Sequence, residues 1–316
     1  MRTLLTRVAA MTAAAALTLI AAPATAGPTV DIRPGALPRG VEGTVPYVFG
    51  TNTIIDAEHT VRVRTQRPID LLGKAPGGYV VAGTDPRDRT VVWFVNAQGQ
   101  RRVLSRGQEY AEVSDSGSAL VTSRGYRPTT LSVINVGTGT VVRTRTFRGV
   151  RQGLDVHRGK VLVGGGSGAL WTLKTNTVRP VTTRSAYNAD LSNDLMATFS
   201  GDPYRDGCTT VTRISNPATR VWHSCEEAVH AWSPDGKRMV TAYKLSDGPG
   251  PHEVDVRGVR GKHIATYRVA RNFGPIVWES NLSLMLWANG RDRAAMVRCM
   301  DTTCQRVSRL TTPTEY

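Results

Sequence analysis

Hydrophobic and polar positions in this chain alternate in short runs, and the runs come in pairs around tight turns. From Val45 onward one order recurs: an apolar run, a small turn, a second apolar run, a polar loop and a longer hairpin. Pro76-Gly77 is followed by Tyr79-Val80-Val81, and Ser114 to Gly117 by Leu120-Val121. His157-Arg158-Gly159 precedes Val161-Leu162-Val163, and Ser192-Asn193-Asp194 precedes Leu195-Met196. Ser233 to Gly236 precedes Met239-Val240, and Ser280-Asn281-Leu282 precedes Leu284-Met285-Leu286. Each unit adds a second hairpin, such as Val91 to Val95 turning at Ala97-Gln98-Gly99, or Leu131 to Ile134 turning at Gly137-Thr138-Gly139. Period-two alternation bounded by Gly, Pro, Asn and Ser is the signature of half-buried strands. No stretch beyond the first 26 residues carries a convincing helical period.

The turns fall at positions 77, 117, 159, 194, 236 and 282, so the steps are 40, 42, 35, 42 and 46 residues. That is the period of one four-stranded propeller blade. The expected fold is therefore all-β, a single β-propeller of six four-stranded blades. Asn52 to Arg64 reads as a spare hairpin that either forms a seventh, partial blade or pairs with the last one to close the ring. A pair of β-sandwiches is the structural alternative.

The sharpest turn is Trp232-Ser233-Pro234-Asp235-Gly236-Lys237. Pro234 presets φ for the first turn position and Gly236 supplies the positive φ at which the chain reverses. This turn resembles the aromatic-Ser-Pro-Asp-Gly-Lys/Arg turn of secreted TolB-type, WD-repeat-like β-propeller proteins of high-GC Gram-positive bacteria. The resemblance covers most of residues 45–312. It implies the fold and carries no chemistry.

The first segment departs from the strand pattern. Arg2 and Arg7 precede an apolar run from Val8 to Ala22, and Ala24-Thr25-Ala26 is a small-residue cleavage site. This order reads as a secretory signal peptide over residues 1–26, cut after Ala26. The apolar run is too short for a membrane span, and no cysteine near the cleavage site marks a lipoprotein. Residues 27–44 hold several Pro and Gly and read as an exposed linker, leaving 45–316 as the propeller domain. The expected product is soluble, extracellular and monomeric. Cys208, Cys225, Cys299 and Cys304 are then an even set in an oxidising compartment, which reads as two disulfides. Each of the pairs Cys208–Cys225 and Cys299–Cys304 brackets a hairpin of its own unit, which brings the Cα atoms within bridging distance.

Lys and Arg number 40 against 25 Asp and Glu, a formal charge of +15. Such a balance attracts anionic polymers such as wall glycans or teichoic-type phosphates. It also matches the strong preference for Arg over Lys. There is no nucleic-acid motif, and no nucleic acid is expected as a partner.

Candidate chemistry is sparse. Gly165-Gly166-Ser167-Gly168-Ala169 lacks the last glycine of a nucleophile elbow and reads as a hairpin loop. The six histidines make no metal-binding pair at helical spacing, and no metal or cofactor is expected. His230 starts an inner strand and should face the central channel. The loops Asp85-Pro86-Arg87-Asp88-Arg89 and Asp202 to Gly207 interleave acids with Arg and read as local ion pairs rather than calcium sites.

Three functions compete: a non-catalytic secreted binding module for an anionic cell-wall polymer or an envelope protein, a propeller enzyme (lyase, lactonase or hydrolase) with a channel site, and a structural accessory in an envelope complex. The lack of a nucleophile or metal motif favours the first. In a four-stranded blade, the loop between strands two and three shares a face with the connection to the next blade. That face should carry the ligand, through Arg124, Tyr126, Arg127, Arg151, Arg184, Tyr204, Arg205 and Arg271, with His230 at the channel. Arginine beside an aromatic ring suits carboxylates, phosphates and sugars.

Overall fold

A computed structural model describes residues 27–57, 59–246 and 248–313. The expected signal peptide lies outside the described residues. Blade 1 has three short strands, Tyr47–Phe49, Thr53–Asp56 and His59–Arg62. Blade 2 has four, Ile69–Ala75, Gly78–Thr84, Thr90–Asn96 and Arg101–Arg106. Blade 3 runs from Tyr110–Val113 through Ala119–Arg124 and Thr129–Asn135 to Val141–Phe147. Blades 4 and 5 form one seven-stranded sheet, because the 14-residue strand Thr177–Asp190 is outer strand to one and inner strand to the next. Blade 6 comprises Glu227–Trp232, Arg238–Tyr243, Glu253–Gly258 and His263–Val269. Blade 7 comprises Asn272–Trp278, Leu284–Asn289, Ala294–Met300 and Thr303–Arg306. The ring thus has seven blades: the spare hairpin belongs to a partial blade.

The shared strand explains the short 35-residue step. Blade 4 passes into blade 5 with no connecting loop, so its unit loses the residues that loop would use.

The turns hold together as their chemistry requires. Ser233 is fully buried; its Oγ accepts the Arg238 N–H at 2.9 Å, while its carbonyl accepts the Gly236 N–H at 2.8 Å. Gly236 sits at φ +63°, against the side chain of Asn193 from the equivalent turn of blade 5. Ser114 repeats the arrangement in blade 3, with the Ala119 N–H on its Oγ at 3.1 Å.

The core lies between blades rather than in one centre. Leu131, Val161 and Trp171 pack between blades 3 and 4, and Val240, Tyr267, Phe273 and Leu286 between blades 6 and 7. The ring closes where Tyr47 of blade 1 meets Met285 and Met296 of blade 7, with Phe49 edge-on to Trp287 at 6.4 Å between centroids.

Residues 27–44 correct the linker expectation. Thr29–Ile32 adds a fifth strand to blade 6, parallel to His263–Val269, with Ile32 only 2 % exposed. Farther on, the Gly40 N–H donates to the Arg306 carbonyl at 2.9 Å on the edge of blade 7. The segment is a strap across the last two blades. Its alternation Thr-Val-Asp-Ile is a strand pattern masked by the Pro and Gly residues around it.

Both disulfides are formed, Cys208–Cys225 and Cys299–Cys304, with sequence separations of 17 and 5. Chain-entropy arithmetic gives the longer loop about 3 kcal/mol and the shorter one less. Urea unfolding of the Cys208→Ser/Cys225→Ser double variant is expected to show the larger loss of the two pairs. A greater loss for the Cys299–Cys304 pair would contradict the loop-length reading.

Candidate functional site

The strand order places the loop-face residues at one end of the ring, and most of their side chains are held. The Arg124 guanidinium donates to the carbonyls of Gly107 at 3.3 Å and Arg106 at 3.1 Å. Arg151 reaches the Ser167 carbonyl at 2.6 Å and its Oγ at 3.1 Å, and Arg184 reaches Thr210 Oγ1 at 3.1 Å. Arg127 lies over the Tyr126 ring at 5.3 Å. Arg205 faces Asp202 at 3.8 Å, and Tyr204 and Arg271 are exposed. These arginines stitch neighbouring loops together while leaving parts of their guanidinium edges to solvent. The contact to Ser167 ties the serine of the glycine-rich loop to a cation rather than to a base.

Asp85 is 5 % exposed and organises the blade 2 loop. It takes Arg89 Nη2 at 2.7 Å, Arg106 Nη1 at 3.3 Å and the backbone N–H groups of Arg87 and Arg89. The Arg89 guanidinium foremost, against the opposing effect of burial, holds its carboxyl down to about 2.

A second basic feature lies between blades 1 and 2. Ile54 and Val61 of blade 1 pack with Val81 and Val95 of blade 2, and beside this contact a groove of about 960 Å³ remains. Its walls carry Arg62, Arg64 and Arg67 on one side and Arg101 and Arg106 on the other. Arg67 pairs with Asp88 and Arg106 with Asp85. Arg62, Arg64 and Arg101 form no ion pair among the described residues, and Arg101 lies over Trp93 at 5.0 Å. Arg62 and Arg64 are two apart in an extended chain, so they project on one side. The groove meets the loop face where Arg124 donates to the Arg106 carbonyl. Sequence reading missed this site because Arg62 and Arg64 belong to the hairpin whose place was open, and Arg67 lies just beyond it. The spacing Arg62-x-Arg64-x-x-Arg67 was the available signal.

The third feature is the channel. A cavity of about 370 Å³ is walled by the inner strands of blades 3 to 6, including Tyr110, Glu112, Gln152, Asn188, His230 and Trp232. His230, on the inner strand of blade 6, is among the residues that line it. Solvent reaches it, yet protein surrounds it, and that burial pushes its imidazole pKa down. Solvent likewise reaches Glu112, yet the protein around it pushes its carboxyl up to about 8, with Asp155 and Asp115 adding to the effect. Asp155, 7 % exposed, is raised to about 6 by burial against the opposing Leu191 N–H at 2.5 Å.

These shifts have a sign. A raised carboxyl favours the fold while protonated, and that contribution is lost as pH climbs from the usual Glu value toward 8. Glu112→Gln is therefore expected to melt higher than the parent at pH 8.5 and to match it at pH 4, read by circular dichroism. A lower melting point at pH 8.5 would contradict the assignment.

Among the described residues, one group of three possible metal donors converges, Cys208, His223 and Cys225. Both sulfurs belong to a disulfide, so they offer no thiolate.

Solved structures similar to this chain include propellers. The propeller domain of the Trilobed protease from Pyrococcus furiosus, described as having an open velcro topology, matches with a TM-score of 0.60 at 8% identity over 86% of this chain and 98% of that one. The WD40 repeats of RRP9 match at 0.58 and 14% identity, covering 84% and 85%. Hsv2 from Kluyveromyces marxianus matches at 0.52 and 15% identity, covering 81% and 92%. At these identities the likeness shows the fold alone. No protein-family model matches the chain, and no curated protein matches it.

Proposed function

We propose that this chain is a secreted, non-catalytic propeller of the TolB-like kind that binds a linear anionic polymer, such as a cell-wall phosphodiester. One observation carries the reading: five arginines line a single open groove, and three of them lack an acidic partner among the described residues. The groove continues onto the loop face at Arg124, so the polymer would run from Arg62, Arg64 and Arg101 toward Arg124 and Arg127. The charge of +15 supports attraction at a distance. The two disulfides support an oxidising, extracellular setting, and among the described residues no helix is long and apolar enough to cross a membrane.

The test is binding to dextran sulfate and to neutral dextran across a salt series. Binding to the sulfated polymer is expected to weaken steeply with salt, as counterion release dictates, with none to neutral dextran. Equal binding to both would remove the electrostatic reading.

A further inference from the structure

The strap begins at a contact that its strand pairing does not explain. The Gly27 N–H donates to His263 Nδ1 at 2.7 Å. The Pro28 carbonyl then accepts the Thr266 N–H at 2.9 Å, and Thr29–Ile32 runs on beside His263–Val269. Because Nδ1 accepts, the proton of the ring sits on Nε2. That nitrogen donates to Asp255 Oδ1 at 2.9 Å on the neighbouring strand of blade 6, and Thr266 Oγ1 donates to the same oxygen at 2.5 Å. Arg257 is the cation beside Asp255, at 3.2 Å, but its Nε and Nη2 are engaged by Glu227 at 2.7 and 2.6 Å. Asp255 is thus left to support the imidazole. The side chains of His263 and Asp255 are 14 % and 16 % exposed, so the pair is set into the blade. The seat is also shaped for glycine. A Cβ at position 27 would overlap the His263 ring nitrogen and stand 2.8 Å from the Ile264 carbonyl oxygen, a backbone atom that cannot swing away.

We propose that His263 and Asp255 form a binding site for a primary ammonium, and that its occupant is the α-amino group of Gly27 itself. The proposal rests on the secretory reading of residues 1–26. Cleavage after Ala26 adds water across the Ala26–Gly27 peptide bond. The C–N bond breaks, Ala26 leaves as a carboxylate, and Gly27 keeps the nitrogen as an ammonium. The reaction that supplies the occupant is therefore the hydrolysis carried out by a signal-removing protease. Before the cut, position 27 offers His263 one neutral amide N–H. After it, the same nitrogen is a cation with three N–H groups, and a charged donor makes a bond roughly twice as strong as a neutral one. The Asp255 carboxylate, one imidazole away, complements the new charge. Capture of a terminal amine by fixed acceptors is a recurrent recognition mode. Pro28 helps by keeping the residue before it extended, which aims the amine along the strand. Processing then does more than release the chain. It fastens the first residue of the strap, whose far end is held by Arg306 and Glu279 on blade 7.

The test begins with N-terminal sequencing of the secreted protein. Gly27 is expected as its first residue; any other first residue would overturn the proposal together with the cleavage site it rests on. Capture is then tested separately on two whole mature chains, one starting at Gly27 and one that keeps Ala26 as an additional first residue. Hydrogen–deuterium exchange over residues 29–32 is expected to be about tenfold slower in the chain that starts at Gly27, the scale of one hydrogen bond from a charged group. His263→Ala should abolish that difference, and Gly27→Ala should bring the exchange to the level of the extended chain. Nitrogen NMR of the His263 ring gives a second reading if His263→Ala fails to fold. An unprotonated Nδ1 and a protonated Nε2 are expected, and a proton on Nδ1 would overturn the proposal. Equal exchange in the two chains, or a difference that survives His263→Ala, would overturn the capture while leaving the cleavage reading in place.

Discussion

Glu279→Ala is expected to destabilise the protein by about 3–5 kcal/mol, the range for removing one partner of a buried ion pair. Glu279 and Arg298 are 8 % and 15 % exposed at their side chains, and Arg298 Nη2 donates to Glu279 Oε1 at 2.6 Å. The same carboxylate accepts the Thr44 N–H at 2.7 Å and the Ser283 hydroxyl at 3.0 Å. Arg298 in turn donates to the carbonyl of Glu42 at 3.2 Å. The pair therefore pins the strap to blade 7 just before the chain enters blade 1, beside the Tyr47–Met285 contact that closes the ring. Alanine leaves the Arg298 cation buried without its counter-charge. Burial alone would raise the Glu279 carboxyl, but Arg298, the Thr44 N–H and Ser283 outweigh it and bring it down to about 2. A lowered carboxyl stabilises the fold above its usual value, and that contribution fades as pH falls toward 2. Urea unfolding from pH 7 to pH 2.5 should show the parent losing stability across this range and Glu279→Ala losing less. Parallel curves would contradict the assignment.

The second large effect is on binding. Replacing Arg62, Arg64 and Arg101 together with Ala is expected to weaken the sulfated polymer about a hundredfold at low salt, on the order of 1 kcal/mol for each exposed charged contact. The salt slope should also fall by about 2 to 3, since fewer counterions are released. Replacing Arg124, Arg127 and Arg205 should cost less, because Arg124 and Arg205 already have protein partners. The reverse order of effects would move the site to the loop face.

How much of this was legible in the chain differs by element. The Ser233 to Gly236 turn could be read because its bonds are local: Ser233, Asp235 and Gly236 satisfy one another within six residues. The disulfide pairs were legible for the same reason, each spanning a single hairpin. His230 was read at the channel from its inner strand, and it lines the cavity there. The strap was hidden, since Thr29–Ile32 pairs with a strand more than 230 residues away and no local pattern marks a partner so distant. The number of blades stayed open because closure depends on Tyr47 meeting Met285. The same long-range closure creates the groove and the channel wall, so neither the Arg62, Arg64 and Arg101 cluster nor Glu112 stood out. Their roles come from neighbours that lie far off in the chain.

The most direct measurement of the central claim is hydrogen–deuterium exchange of the protein with and without dextran sulfate at low salt. Binding in the groove predicts slower exchange in residues 59–67 and 98–107, with a smaller effect at 124–128 and none at the opposite turns around Gly159 and Gly236. Slowing confined to those opposite turns, or spread evenly over the whole basic surface, would contradict it.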